Sequence, residues 1–477
     1  MNELLEQAFS VEDFRKKGHE VIDLLAEYLD NAITNRNDDL VIPWQTPDEQ
    51  LAYWQQDFKR TEPADPLDLF RDVMSRSIQI HRKQYLGHQT VPTLPVSALS
   101  AAVSAILNQG MGVYEMGMVG NVLDRILTEA VARKLGFSPE ASGFITSGGS
   151  LGNLTALLAA RAKATDVWEN GSDENERLAV MVSEEAHYCI DRAARIMGLG
   201  SQGIVKIPVT DDFRMRTDLL RSSYRDAVQR GLKVIAVIGC AGTTSTGSYD
   251  DLEAIAAFCR EADLWFHVDG AHGAPAAYAE KYRHLVKGIE KADSVIVDFH
   301  KMMLTPSLST AVIFGCGGDA YRTFAQRAQY LWSEQTTEEW YNSGKRTFEC
   351  TKAMTSLNVY TIFRTYGEAI FRQNIERLYG LAASFAAMIR ENPPFEVAYE
   401  PQSNIVCFRY GNDQDLNRII RDKLVADGRY YIVQTILHGE HYLRVSLMNP
   451  LSTHQELRGL LGTIRDLALK VAPGQLT

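Results

Sequence analysis

Six short apolar runs lie between residues 178 and 316: "LAVMVSEEAHY", "GIVKIPV", "KVIAVIGCAGTTSTG", "LWFHVDGAHG", "DSVIVDFHKMM" and "TAVIFGC". They are continuous rather than alternating, and helical patterns separate them. Strands of this kind are covered on both faces, so the runs predict an α/β fold with a mostly parallel sheet between helices. In such sheets ligands collect at the carboxyl ends of the strands. Several of these runs end there in polar or glycine residues.

One of those ends carries Lys301, in "DFHKMM". A lone lysine past a strand is usually a solvated side chain. Held at a strand end and partly desolvated, it is expected to have a lowered pKa and to form a Schiff base with a carbonyl group. Asp269 ends "LWFHVD", 32 residues earlier. That spacing is about one strand–helix–strand unit, so the two side chains are expected on nearby strands. A carboxylate opposite such a lysine suits a pyridine cofactor, because it keeps the ring nitrogen protonated. A metal site built from His267, Asp269 and His272 is the rival, but it leaves Lys301 unexplained.

"GFITSGGSLGNLTALLAARA" adds a strand that runs into glycines, with a helix expected from about Leu151. Gly148, Gly149 and Ser150 form a candidate phosphate cradle at a helix N-terminus. The loop lacks the lysine of a nucleoside-triphosphate-binding P-loop. His187, in "EEAHYC", is expected at a strand end, where its ring can stack on a cofactor or simply cap a helix. Thr243 and Thr244 offer hydroxyls after another strand, or ordinary turn chemistry.

The remainder frames this core. Residues 1–75 read as a helical arm, with Phe14, Val21, Ile22, Leu25 and Leu29 on one face and breaks at Pro43 and Pro47. That face needs cover, either from the same chain or from a partner. Residues 76–370 read as the large domain and 371–477 as a smaller α+β domain. A net charge of −11 argues against nucleic acid as a partner. No apolar run is long enough for a transmembrane helix. Six scattered cysteines without CxxC pairs read as reduced thiols, consistent with a cytoplasmic protein.

Together, "TSGGSLGN", "SEEAHYCIDRAARIMG", "AGTTSTG", "WFHVDGAHGA" and "DFHKMM" resemble the pyridoxal-phosphate-dependent group II amino-acid decarboxylases. The similarity runs over about residues 75–460, toward the branch that holds glutamate, aromatic and diaminobutyrate decarboxylases. It implies the fold type I, aspartate aminotransferase-like architecture and a homodimer with the active site at the interface. Lys301 matches the cofactor-bearing lysine, and Asp269 the partner of the ring nitrogen. His187 and Ala271 match the residues on the two ring faces. Gly149 and Ser150 match the phosphate loop, Thr244 a threonine near the ring, and His300 a neighbour of the lysine. Asp298 stands where some members have asparagine near the phosphate.

The same resemblance implies a proton donor, Tyr341, in "EEWYNSGKRTFECTK", on a closing lid that includes "LWSEQTTEEWYNSGK". Related aldehyde synthases carry phenylalanine at that tyrosine, so Tyr341 favours plain decarboxylation. Arg444 matches an arginine that binds the substrate carboxylate. Gln89 and His88 fall near a substrate-contacting glutamine, with Tyr114 and Met116 in another pocket wall. Departures at Gly270, His272, Lys352, Asn358 and Met118 leave the substrate's side chain open among acidic, basic and aromatic classes. The reading is thus an L-amino-acid α-decarboxylase, with oxidative deamination, another lyase step or an inactive cofactor-binding protein as alternatives.

Overall fold

The computed structural model describes residues 3–35, 40–173, 175–324 and 339–471. Its contacts divide the chain into two compact units. One takes in the described residues of Met1–His88, Ala387–Ala398 and Cys407–Thr477; the other is Gln89–Ala386 with Tyr399–Val406.

The second unit is built on seven strands: β1 (Ser142–Thr146), β2 (Arg177–Ser183), β3 (Ile204–Ile207), β4 (Leu232–Cys240), β5 (Trp265–Asp269), β6 (Ser294–Asp298) and β7 (Thr310–Phe314). Their order is β1-β7-β6-β5-β4-β2-β3. β7 runs antiparallel to both neighbours, and the other ladders are parallel. The continuous apolar runs become strands that are buried almost throughout. Phe144, Ile296, Val312 and Phe314 pack there with Leu157 and Ile190 from covering helices. Each such side chain contributes about 1.5–3 kcal/mol through removal from water.

Register sets the working edge. Cys240 pairs with Asp269 and Asp269 with Ile296, so β4, β5 and β6 end side by side. Asp298 pairs with Thr310 and Thr146 with Thr310, which brings β1 and β7 to the same edge. The helix Gly149–Ala164 starts there, two residues earlier than expected, with Gly148 as its cap.

In the first unit, β8 (Phe395–Val397), β9 (Ile405–Tyr410, which begins in the other unit), β10 (Val433–Leu437) and β11 (Glu440–Ser446) form a sheet in the order β10-β11-β9-β8. Leu437 pairs with Glu440, and both His438 and Gly439 have positive φ, as a two-residue hairpin turn requires. The arm contains the helix Val11–Thr34, capped by Ser10. Pro47 does not only break a helix; it opens the next one, Pro47–Phe58, behind a Thr46–Glu49 capping box. On Val11–Thr34 the expected apolar face stays largely bare, with Phe14 64%, Ile22 47% and Leu25 41% exposed. No described helix is long and apolar enough to cross a membrane.

Candidate active site

The ends of β1, β4, β5 and β6 surround a cavity of about 250 Å³. Its walls include Gly148, Gly149, Ser150, His187, Thr243, Thr244, Asp269, Ala271, Asp298, His300 and Lys301. Ser147, Cys189, Gly242, His272 and Leu308 also reach it.

Lys301 follows β6 by three residues, and its Nζ lies 3.0 Å from Asp298 Oδ2. Asp298 is buried and accepts from Thr310 Oγ1 at 2.5 Å, with His300 Nε2 at 3.6 Å. His300 is held through Nδ1 by the Ser309 backbone. Burial works to lower the lysine's pKa, but the carboxylates of Asp298 and Asp269 outweigh it and hold the ammonium above its ordinary value. The expectation of a lowered pKa is therefore corrected. Two anions beside the amine stabilise its charge more than desolvation weakens it.

Asp269 ends β5 and accepts from Ala271 N at 3.2 Å and Asn153 Nδ2 at 3.0 Å. His187 does not end a strand, as expected, but caps the helix Tyr188–Ile196 four residues beyond β2. Its Nδ1 accepts from Cys189 N at 3.4 Å, which leaves Nε2 to carry the proton of the neutral ring. Burial, helped by Lys301, holds this imidazole below its ordinary pKa against the pull of Asp269 and Asp298. Burial also pushes the Cys189 thiol up to about 12, so it stays protonated at neutral pH. Thr243 is engaged within its turn, bonded to Thr246 Oγ1 at 2.6 Å and Ser248 N at 3.1 Å.

The glycines meet two demands. Gly148 has φ 112°, a conformation that side chains with Cβ resist. A Cβ on Gly149 would lie 3.1 Å from both Asp298 carboxylate oxygens. The rival metal ligands have other partners. His267 bonds Ser294 Oγ and Asn153 Oδ1, each at 2.8 Å, and His272 bonds Asn404 Oδ1 at 2.7 Å. Among the described residues no group of three or more such ligands is arranged for an ion.

Three expected site residues and the expected proton donor lie off this cavity's walls. The Tyr341 ring packs 5.6 Å from Tyr114 and 5.7 Å from Trp340. Asn342 Oδ1 accepts from Tyr114 N at 2.9 Å, and Ser343 Oγ donates to Met111 O at 2.5 Å. Residues 331–338 of the expected lid are outside the described residues. Arg444 is buried on β11, in the first unit. His88 belongs to that unit too, its ring 5.9 Å from Tyr431; burial, then Arg444 and Arg421, hold its pKa down. Gln89 begins the second unit, and its buried Nε2 has no hydrogen-bond partner among the described residues.

Sequence reasoning missed Asn153, Cys189 and Glu349. Asn153 stands four residues after Gly149, hence on the same face of the glycine-initiated helix, and Cys189 stands two after His187. Those spacings were readable. Glu349 accepts from Ser147 Oγ at 2.5 Å and Thr146 Oγ1 at 3.0 Å, across 203 residues of chain in the latter case. No local signal marks it.

This geometry has counterparts. The pyridoxal-dependent decarboxylase conserved domain matches residues 111–411. The L-aspartate decarboxylase dtxS4 of Metarhizium robertsii is 30% identical over 347 residues, covering 72% of this chain and 69% of its own. The aromatic-L-amino-acid decarboxylase of Bacillus atrophaeus is 26% identical, with 97% of each chain covered. Among solved structures, tryptophan decarboxylase of Catharanthus roseus in complex with L-tryptophan has a TM-score of 0.87 at 22% identity, covering 97% of this chain and 99% of that one. The fold is that of the fold type I pyridoxal-phosphate enzymes. The chain belongs to the pyridoxal-dependent decarboxylase family. It is a carboxy-lyase of L-amino acids, and pyridoxal phosphate is its cofactor.

The residues present fit that group. An amine stands among anions, a carboxylate ends the neighbouring strand, and a cradle that a Cβ would fill opens on a helix N-terminus.

Proposed function

We propose that Lys301 carries the cofactor and that the enzyme converts an L-amino acid to CO2 and the corresponding amine. The observation that supports this most is the one cavity shared by Lys301, Asp269 and the Gly148–Ser150 cradle. When bound, pyridoxal phosphate supplies the electron sink for the pair left by the departing carboxylate. Asp269 serves the ring nitrogen as an anion. Gly149 and Ser150 offer backbone donors to the phosphate, while His187 and Ala271 cover the ring faces and Thr244 lies near them. His300 and Asp298 orient Lys301, whose amine would hold the cofactor between turnovers and give it up to the substrate's own amine. Tyr341 Oη returns a proton to the substrate's Cα, and closure over the site keeps oxygen and water from that carbon.

Arg444, His88 and Gln89 are proposed to recognise the substrate. Arg444 and Arg421, both felt by His88, favour an acidic amino acid. The 30% identity to an enzyme named for L-aspartate points the same way. We further propose a homodimer with the active site at its interface. The bare apolar face of Val11–Thr34 and the exposed Met116, Met118 and Val119 beside the Tyr341 segment support it. Six free cysteines suit a cytoplasmic location.

The test is CO2 and amine release from purified enzyme with cofactor, over a panel of acidic, basic and aromatic L-amino acids. Equal amounts of CO2 and amine from aspartate or glutamate are expected. Turnover of an aromatic or basic substrate alone would overturn the acidic assignment. Aldehyde and ammonia in place of amine would overturn simple decarboxylation.

A further inference from the structure

Behind Asp269 runs a buried line of hydrogen bonds that the site roles above do not use. Trp265 Nε1 donates to Ser294 Oγ at 2.9 Å. Ser294 Oγ lies 2.8 Å from His267 Nδ1. His267 Nε2 lies 2.8 Å from Asn153 Oδ1. Asn153 Nδ2 donates to Asp269 Oδ2 at 3.0 Å and to Cys189 Sγ at 3.2 Å. Asn153, His267 and Ser294 are each at most 1% exposed. Groups so buried are satisfied by one another, so the pattern is read from the protons that these groups carry.

With a neutral imidazole, only two arrangements connect every link. In the first, Asp269 is an anion and can only accept. Asn153 must then present its amide nitrogen to Asp269 and its oxygen to His267. His267 must carry its proton on Nε2, and Ser294 must donate to the bare Nδ1. Each proton finds an acceptor, from the indole to the carboxylate. In the second, Asp269 is protonated and every link between Asp269 and Ser294 reverses, while Trp265 still donates. Ser294 Oγ then receives protons from both Trp265 and His267, and its own buried hydroxyl proton is stranded. A buried donor without a partner is costly, so the first arrangement is favoured.

We propose that Ser294, His267 and Asn153 are positioning residues that form a one-way line of donors ending on Asp269 and holding it as an anion. The inference rests on the reading of Asp269 as the partner of the cofactor's ring nitrogen. The line sets the charge state of Asp269 before the cofactor arrives, and the Ser294 hydroxyl sets its direction. His267 itself stays neutral: burial pushes its imidazole down to about 4, against the pull of Asp269 and of the Ser294 backbone. The other charged or titratable groups near Asp269 are Cys240 on β4, His187 and Cys189 beyond β2, His272 beyond β5, Asp298 at the end of β6, and His300 and Lys301 just past it. All of them are retained in the variants below.

The first test reads the direction in the unaltered holoenzyme. Histidine labelled with nitrogen-15 gives ring resonances that report the tautomer, and loss of one set in His267→Gln assigns it. A neutral ring with its proton on Nε2 is expected. A proton on Nδ1, or a charged ring, would overturn the proposal whether or not any variant folds.

The second test is fluorescence titration of apoenzyme with pyridoxal phosphate from acid to neutral pH. Asn153→Leu and His267→Leu are expected to weaken binding about tenfold or more, and to raise the pH below which cofactor is lost, while His267→Gln keeps a donor toward Asn153 and stays near the parent. Leucine variants that bind like the parent would overturn the proposal, provided that Asp269→Ala weakens binding. If Asp269→Ala also binds like the parent, the reading of Asp269 fails, and the proposal with it.

Discussion

The cavity at the ends of β5 and β6 and the segment that carries Tyr341 are both expected parts of one reaction, yet they are built differently. Around the cavity, strand register decides where side chains go: Asp269 lies in a parallel ladder beside Cys240 and Ile296. Asp298 and His267 are buried and hydrogen-bonded. The Tyr341 segment forms no strand or long helix of its own among the described residues; Arg125, on the helix Met118–Leu135, lies over its Trp340 ring, and Arg346 donates to the Trp340 carbonyl. Tyr341 is half-buried and packs on the exposed Tyr114 ring, and the stretch that follows Tyr114 leaves Met116, Met118 and Val119 bare. One region is preorganised by the sheet. The other presents apolar surface, in keeping with the proposed homodimer. The cofactor's electrostatics and the proton donor should therefore respond to different perturbations.

The largest difference is expected from Asp269→Ala. Loss of a half-buried charge that stabilises the reacting system should lower kcat/KM on the order of 10²–10³-fold, with weakened cofactor binding. Steady-state rates at saturating cofactor, beside a cofactor titration, check both effects. Tyr341→Phe should act on the other region only. kcat should fall on the order of 10²-fold, the usual size for a lost general acid, with KM and cofactor content little changed. Some product should shift from amine toward aldehyde and ammonia, measurable by chromatography. If cofactor content fell with kcat, the two regions would not be separable.

Gly112→Ala probes how the segment is docked. A Cβ there would meet the Cys350 carbonyl oxygen at 2.0 Å, so backbone must move. A cost of about 1–3 kcal/mol is expected, with kcat lowered and cofactor affinity kept. Denaturant unfolding and cofactor titration separate these outcomes.

The fourth prediction concerns stability near His267. Its folded pKa, about 4, lies below the unfolded value of about 6.5. Between those values the unfolded chain takes up a proton that the folded chain refuses, so the parent loses stability as pH falls. His267→Gln lacks that loss. Relative to the parent it should gain about 2 kcal/mol between about pH 7 and about pH 5. Unfolding midpoints at the two pH values measure the gain; an unchanged difference would contradict the burial argument.

Much of the sheet was legible because burial on both faces leaves continuous apolar runs, and because polar ends of such runs mark the ligand edge. Lys301, Asp269 and the Gly148–Ser150 loop were readable for that reason. His187 is displaced from a strand end to a helix cap because the three-residue turn 184–186 separates β2 from it, and turns of that length leave no periodic trace. The lysine's pKa was misjudged because desolvation can be read from a strand end, whereas the counter-charge of Asp298, three residues away, depends on how the chain turns after β6. Glu349 was out of reach, since its partners Thr146 and Ser147 come from the far end of the domain in sequence. Asn153 was visible in spacing, but its purpose emerges only with His267 and Ser294 in place.

The account turns on Lys301, one of three titratable side chains gathered by Asp298 at the end of β6 if Asp298 itself is counted. The most direct measurement is borohydride reduction of the cofactor-loaded enzyme, followed by mass mapping of its peptides. The account predicts one pyridoxyl adduct, on Lys301, and none in Lys301→Ala. An adduct on another lysine, or a loaded enzyme with no adduct, would contradict it.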